Sequence, residues 1–305
     1  MKCLSPAVSP SLPLPPRDTL FSLSFPRGVA DAVAWGGRLT LLTLLLAPVG
    51  DWTVRPWTLT LAAAGLLLRA ERQFGLWAAL AALTLWRVVA DWPLADNHAY
   101  LLGYWCLALA VATGLSEPQT AAANARWLIG LCFALAALQK WLSPDFANGV
   151  FFTTTLVGDG RFADFVVLFS NTSYADLDAA RAYFEGDYRY QDPGPAPNLP
   201  PSLLLLATLS TWWNLLDQTL VAAAFLAPAS SWLGRCRDPL LLIFCLVTYA
   251  VAPVYGFGWL LLAMGFSQSA PLASVRFGYL AVFALLIVYE QVPWVGLLLD
   301  WREAS

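Results

Sequence analysis

Apolar runs about as long as a lipid bilayer is thick recur along most of this sequence. A helix needs about 20 mostly apolar residues to cross the hydrocarbon core of a membrane. The sequence therefore predicts an all-α fold, a multi-pass transmembrane helical bundle of about eight spans with one long extramembrane loop. The predicted spans are residues 29–49, 57–68, 74–90, 98–115, 126–142, 202–227, 239–265 and 277–298.

The composition supports a membrane protein and excludes other classes. Hydrophobic residues make up 59% of the chain, charged residues 12%, and the mean hydropathy is +0.61. Typical soluble domains are about 45–50% apolar and about 25% charged, so this chain does not resemble one. A net charge of −3 provides no basic surface for nucleic acid. The predicted environment is the lipid bilayer, and nucleic acid is not an expected partner.

The predicted spans divide the chain into four parts. Residues 1–27, rich in Pro and Ser, are expected to form a disordered or targeting tail. Residues 28–142 contain the first group of about five spans, and residues 201–299 contain the second group of about three. Between them, residues 143–200 form an acidic extramembrane or interfacial loop with eight acidic residues and three arginines.

Basic residues in short loops predict the orientation, because cytoplasmic loops carry an excess of Lys and Arg. The expectation is that both termini lie on the cytoplasmic side and that 143–200 lies on the opposite side. Arg55 and Arg276 fall in predicted outer loops and oppose this pattern. The predicted inner loops contain Arg69, Arg72, Arg126, Arg235 and Arg237.

Two segments of the 143–200 region have patterns of their own. "SYADLDAARAYFEG", residues 173–186, predicts a short helix with Ser173 as N-cap and Gly186 as the stop. "GVFFTTTLVGDGRFADFVVLF", residues 149–169, is apolar but interrupted by Gly-Asp-Gly. We expect this second segment to be interfacial or re-entrant rather than spanning.

Among the ionisable side chains of the predicted spans, the candidates for a role inside the membrane are Arg38, Arg87, Lys140 and Asp217. Charged groups inside a membrane are costly and usually face protein or water, so each is a candidate for a function or a buried ion pair. Asp217 is adjacent to Gln218 and one turn from Asn214. These three neighbouring polar residues therefore predict either hydrogen bonds between helices or a chemical role for Asp217, and both alternatives stay open.

His98 is the only histidine of the chain, and Lys140 is one of its two lysines. His98 begins the fourth predicted span, after Asp96 or Asn97 as N-cap, and Lys140 ends the fifth. Because consecutive spans are antiparallel, both side chains are expected at the same outer level of the membrane. This placement predicts a lysine base assisted by an imidazole. The alternative is a lysine that extends to the lipid headgroups.

The cysteines predict no metal centre. The five cysteines include no C-x-x-C pair, and three of them lie inside apolar runs. A single histidine cannot supply a histidine-rich metal site. Buried hydrophobic packing is therefore the expected role of Cys106, Cys132 and Cys245.

Four segments resemble the horizontally transferred transmembrane (HTTM) family, which includes the membrane domain of the vitamin K-dependent gamma-carboxylase. "DNHAYL" (96–101) is similar to that family's Asn-His entry to a helix. "ALAALQKWLSPDFANG" (134–149) resembles its apolar helix ending in lysine. Weaker matches are "LLDQTLVAAAF" (215–225) and "YGFGWLLLAM" (255–264). Their order agrees, so the resemblance covers about residues 29–290.

The resemblance implies that Lys140 is a base acting on a reduced quinone and that His98 assists it. The chain departs from the family at Gln139, where the family has a second lysine, and at "TYAVAP" (248–253), where a second histidine is expected. The sequence also ends at Ser305 without a large extramembrane domain. Carboxylation of a glutamate-rich protein is therefore not expected.

Three functions follow from the sequence. The leading hypothesis is a non-catalytic membrane subunit or scaffold, in which 143–200 docks a partner protein. The first alternative is a membrane enzyme that acts on a quinone-like or lipid substrate by lysine-assisted proton abstraction, with reduced quinone as its cofactor. The second alternative is a transporter, which would need a polar path past Asp217.

Overall fold

The computed structural model describes residues 28–185, 198–252, 254–269 and 271–304, and within these ranges every regular element is a helix. The first half contains α1 (Val29–Leu46), α2 (Arg55–Leu67), α3 (Phe74–Ala90), α4 (Asn97–Leu115) and α5 (Pro118–Leu142). Next come α6 (Pro144–Ala147), α7 (Val150–Gly158), a 3-10 turn (Gly160–Phe162), α8 (Ala163–Ser170) and α9 (Tyr174–Glu185). The second half contains α10 (Pro201–Leu226), α11 (Trp232–Arg235), α12 (Arg237–Val251), α13 (Tyr255–Gln268), α14 (Ala273–Gln291) and α15 (Trp294–Ala304).

Four of these helices are long and apolar enough to cross a membrane: α1, α4, α5 and α14. The apolar helix α3 is shorter, at 17 residues. With 26 residues α10 is long enough, but it is not among these four, and it carries Asn214, Asp217 and Gln218 near its middle. The predicted all-α membrane fold is thus present in its coarse form.

Helix α13 lies at the centre of the bundle. It packs against α1, α4, α5, α12 and α14, and every residue from Gly258 to Gln268 is buried. A helix that is hydrophobic on all sides is normally enclosed by others, which is the position that α13 takes.

Close approach of helices to α13 depends on small residues. A Cβ added at Gly36 of α1 would lie 2.8 Å from the Ala263 carbonyl oxygen and closer still to the Ser267 hydroxyl. A Cβ at Gly265 would overlap the Tyr279 ring of α14. Gly residues at such contacts let helix backbones pack closely in membrane bundles.

The expected single span 239–265 is wrong, because α12 and α13 form an antiparallel hairpin. Gln268, at the end of α13, donates from Nε2 to Oδ1 of Asp238, at the start of α12, over 2.7 Å. At the other end, a Cβ at Gly258 would meet the Tyr249 ring. Ala252 precedes a proline in the sequence, and the residue before a proline disfavours helix. With 15 and 14 residues, the two helices are about 21–23 Å long at 1.5 Å per residue.

Two other expected spans have different boundaries. The span 277–298 is divided, because α14 ends at Gln291 and α15 begins at Trp294 after Pro293, which lacks an N–H for a continuing helix. The span 126–142 begins earlier, at Pro118, so Arg126 lies inside α5 rather than in a loop. Arg276, expected in a loop, is a fully buried residue of α14.

The bundle has two ends, which we name by their contents. At the basic end, Arg72 pairs with Asp31 near the start of α1 over 3.2 Å. Arg126 donates to the carbonyl oxygens of Phe225 and Ala227 at the end of α10. The module end contains α6–α9, and α15 contacts α8 there.

Residues 144–185, which we call the helical module, are folded rather than an open loop. Leu156, Phe162, Val166 and Leu177 form a second hydrophobic core, separate from that of the bundle and completed by residues of α10. The predicted Ser173 N-cap is confirmed, since its Oγ accepts the backbone N–H of Asp176 over 3.1 Å. In return, Ser173 donates hydrogen bonds that lower the pKa of the Asp176 carboxyl. The predicted tail 1–27 and the stop at Gly186 lie outside the described residues.

Candidate functional site

Lys140 lies in the last turn of α5 and joins that helix to α10. Its ammonium donates to Oδ1 of Asn214 over 2.6 Å and to Oε1 of Gln218 over 2.7 Å. Because these two residues are four apart on α10, both amides face the same side of the helix. The ring of Phe146 lies below the ammonium, with its centre 5.2 Å away. Lys140 therefore has partners on α10 and in the first helix of the module.

Asp217 is buried on the same helix but takes no part in this contact. Its residue is 6% exposed, and its Oδ2 atom has no hydrogen-bond partner among the described residues. The hydrogen bonds between helices that the sequence predicted for this group are made by its neighbours, Asn214 and Gln218. A chemical role for Asp217 stays a prediction.

His98 occupies the first turn of α4, at the module end of the bundle. Asp96 is the N-cap, since its Oδ1 accepts the backbone N–H of Ala99 over 2.8 Å. The imidazole stacks on the ring of Phe257, at the start of α13, with the centres 4.0 Å apart and the planes at 25°. Its Nδ1 lies 3.9 Å from the Asp96 carboxylate.

A cavity of about 340 Å³ opens beside His98. The last turns of α1 and α3, the first turns of α4 and α13 and the end of α14 surround it. Its polar lining includes Arg87, Asp96, His98, Tyr255 and Glu290. Known ligand pockets are roughly 300–1,000 Å³ in volume, so this cavity is large enough for a small molecule or a lipid headgroup.

His98 and Lys140 do not contact each other through any hydrogen bond, ion pair or ring stack of the described residues. His98 contacts α13, whereas Lys140 contacts α10 and the module. Lys140 does not line the cavity beside His98. Both lie towards the module end, as predicted from the antiparallel helices, but each faces a different neighbour.

The two arginines predicted within spans both have acidic partners. Arg38 donates from Nε to Oε1 of Glu71 over 2.9 Å, and a second, very short contact joins the same groups. Glu71 is 5% exposed and was not recognised in the sequence, because it lies 33 residues from Arg38 in a connection between helices. Arg87 donates from Nε to Asp91 over 3.3 Å and lies 3.9 Å from Asp96.

A buried polar network at the basic end was also missed. Asp238 accepts hydrogen bonds from Gln268 and, over 2.9 Å, from the hydroxyl of Tyr279. This carboxylate joins α12, α13 and α14. The only sign of this network in the sequence was Asp238 itself, at the start of an apolar run. An acidic residue at such a position is ordinarily expected to face solvent.

No group of three or more His, Cys, Asp or Glu residues in the described ranges could hold a metal ion. The four cysteines that the structure describes are free. Cys106 and Cys245 are buried, as predicted for hydrophobic packing, whereas Cys132 is only half-buried. The polar groups at His98 and Lys140 are suited to binding, to proton transfer or to packing.

Comparison of the chain with models of protein families, with curated proteins and with solved structures finds no match.

Proposed function

We propose that this chain is a non-catalytic integral membrane subunit or scaffold that docks a partner protein through the region 143–200, and in particular through its helical module. The observation that carries the proposal is the module itself. It is folded around a hydrophobic core that it shares with α10, yet it exposes large aromatic side chains, with Phe169 61% and Phe184 50% accessible. Aromatic residues are enriched at protein interfaces.

The contacts of the polar side chains within the bundle support a scaffold. Lys140 joins α5 to α10, Arg126 joins α5 to the end of α10, and Asp238 joins three helices. Each of these groups is held by protein atoms in an arrangement that fixes the positions of helices. A subunit whose task is to present a docking module needs this rigidity and no reacting group.

The topology we propose has the basic end in the cytoplasm and the module on the opposite side, as the positive-inside rule predicts. The α12–α13 hairpin adds one crossing to the eight expected from the sequence. With nine crossings, α1 begins on the cytoplasmic side and α15 lies on the side of the module. Contact between α15 and α8 supports this arrangement, which replaces the expectation that both termini are cytoplasmic.

The HTTM-type enzyme is the second candidate, and the cavity beside His98 is the observation that favours it. It would require Lys140 to act on a substrate as a proton acceptor. The contacts favour the scaffold, because two of the three ammonium hydrogens of Lys140 are directed to amide oxygens. HTTM membership itself rests on four short motifs.

Purification of the tagged full chain in mild detergent, followed by mass spectrometry of bound proteins and small molecules, tests the proposal. We expect a stoichiometric protein partner. The double variant Phe169→Ser/Phe184→Ser should lose it while keeping the thermal stability of the bundle. Trp52→Ser is the matched control, because Trp52 is an 82% exposed aromatic residue outside the module, and it should keep the partner.

Retention of the partner by the double variant would contradict docking through the module. A bound quinone that disappears in Lys140→Ala, with no protein partner, would favour the enzyme instead. Co-purification of neither a protein nor a small molecule would also contradict the proposal.

A further inference from the structure

The cavity beside His98 concentrates charge in a chain that has little of it. Only 12% of the residues are charged, yet Arg87, Asp96 and Glu290 converge here with the only histidine, from three different helix ends. The deeper lining is apolar and includes Leu44, Leu102 and Leu260. We call the charged residues Arg87, Asp96 and Glu290 the mouth of the cavity, and the apolar residues Leu44, Leu102 and Leu260 its floor.

The charged groups at the mouth are incompletely paired. Arg87 has five N–H donors, and in the described ranges only its Nε makes a hydrogen bond, to Asp91. Its side chain is 23% exposed. No Lys, Arg or His of the described ranges forms an ion pair with Glu290, whose one recorded contact is a 3.5 Å hydrogen bond from Gln291. Nη2 of Arg87 lies 3.9 Å from Asp96, beyond hydrogen-bond distance. One wall therefore has guanidinium donors that make no hydrogen bond in the described ranges, and another has a carboxylate without a cation.

From this geometry we infer that the cavity binds a zwitterion attached to an apolar body. The anionic oxygens of the ligand would accept hydrogen bonds from Arg87, because a guanidinium suits phosphate and carboxylate groups. Its ammonium would lie against Glu290, and its apolar part would contact the floor and the stacked rings of His98 and Phe257. Phosphatidylethanolamine and an apolar amino acid share this chemistry, and the cavity volume admits the headgroup of the first or the whole of the second.

The opposite charges distinguish this site from a simple anion site. The lining has one permanently cationic side chain, Arg87, and two carboxylates, Asp96 and Glu290. Asp96 lies 3.9 Å from Arg87, so Glu290 is the carboxylate that an anionic ligand would meet without compensation. A zwitterion offers its anionic group to Arg87 and its ammonium to Glu290.

Binding of radiolabelled probes to the tagged, detergent-solubilised full chain tests the inference by scintillation proximity. The probes are dihexanoyl-phosphatidylethanolamine, dihexanoyl-phosphatidylglycerol with the same chains but no ammonium, and leucine. We expect phosphatidylethanolamine or leucine to bind, and phosphatidylglycerol to bind at least tenfold more weakly than the better of the two. Which zwitterion binds identifies the source of the ligand.

Variants assign the binding to this cavity. Arg87→Gln and Glu290→Gln should each weaken zwitterion binding at least tenfold, and Arg87→Lys should weaken it less than Arg87→Gln. Arg72→Gln, at the basic end, is the matched control and should bind as the unaltered chain does. Equal affinity for both phospholipids, no binding of either zwitterion, or unchanged affinity in Glu290→Gln would overturn the inference.

Discussion

At the scale of single residues, the polar side chains inside this protein mostly connect helices. Lys140 contacts two amides of α10, and Arg38 contacts the buried carboxylate of Glu71. Hydrogen bonds between membrane helices contribute about 0.6 kcal/mol on average and up to about 1.7 kcal/mol. Their effect on stability is therefore measurable but modest, and their main result is a fixed geometry.

Replacement of Lys140 by Met should destabilise the protein. The amide oxygens of the buried Gln218 and the half-buried Asn214 would lose their donor, at a cost of about 1–2 kcal/mol. The apparent melting temperature in detergent should fall by roughly 2–8 °C, since about 1 kcal/mol corresponds to about 2–4 °C in a chain of this size class.

The control for this prediction is Arg72→Met, which removes an exposed ion pair and should change the melting temperature little. Combination of Lys140→Met with Gln218→Leu should restore part of the lost stability, because one unpaired amide is removed. An unchanged melting temperature in Lys140→Met would show that the lysine does not hold α5 to α10.

Local residue roles were predictable, whereas distant partners were not. The caps at Asp96 and Ser173 depend on residues three positions away, so the sequence was sufficient to propose them. The contacts of Lys140 with Asn214 and Gln218 join positions 74 and 78 residues apart. Periodicity within a helix cannot show which helix lies beside it. For that reason the sequence predicted that His98 and Lys140 act together, although each contacts a different helix.

At the scale of helices, the main difference from the sequence-based expectation is the α12–α13 hairpin. Apolar composition is continuous through residues 239–265, so hydropathy alone predicts one span. The proline after Ala252 was the one local signal of a break. The reversal becomes evident only from the contact between Asp238 and Gln268. One missed turn changes the number of crossings and the side on which later helices lie.

Labelling of single cysteines in a chain depleted of its native cysteines tests the hairpin topology. An impermeant maleimide added to intact cells should label Phe169→Cys in α8 and Leu298→Cys in α15. Arg235→Cys, at the basic end, should be labelled only after permeabilisation. Labelling of Leu298→Cys only after permeabilisation would instead place α15 on the cytoplasmic side and contradict nine crossings.

Packing of α1 on α13 should be sensitive to a single methyl group. Gly36→Ala would force a Cβ against the Ala263 carbonyl and the Ser267 hydroxyl, with an expected loss of about 1–3 kcal/mol. Gly75→Ala is the control, because nothing lies within 4 Å of a Cβ there and Ala favours helix over Gly. Thermal unfolding in detergent measures both. A tolerated Gly36→Ala would mean that the two helices separate easily.

At the scale of the whole molecule, the chain has two hydrophobic cores with different roles. The bundle core surrounds α13, in a bundle that includes four helices long and apolar enough to cross a membrane. The module core lies at the N-terminal end of α10, and the helices around it carry exposed aromatic side chains. Composition predicted the first core and its environment. The second was expected to be a loop, because short helices separated by Gly and Asp have little periodicity.

Photo-crosslinking in native membranes tests the central claim, that the module docks a protein, most directly. A photoreactive phenylalanine analogue placed at Phe169 or Phe184 should give one discrete adduct of defined mass with a single protein. The same analogue at Trp52, which is 82% exposed but lies outside the module, should give none. Absence of an adduct at both module positions, or the same adduct from Trp52, would contradict the claim.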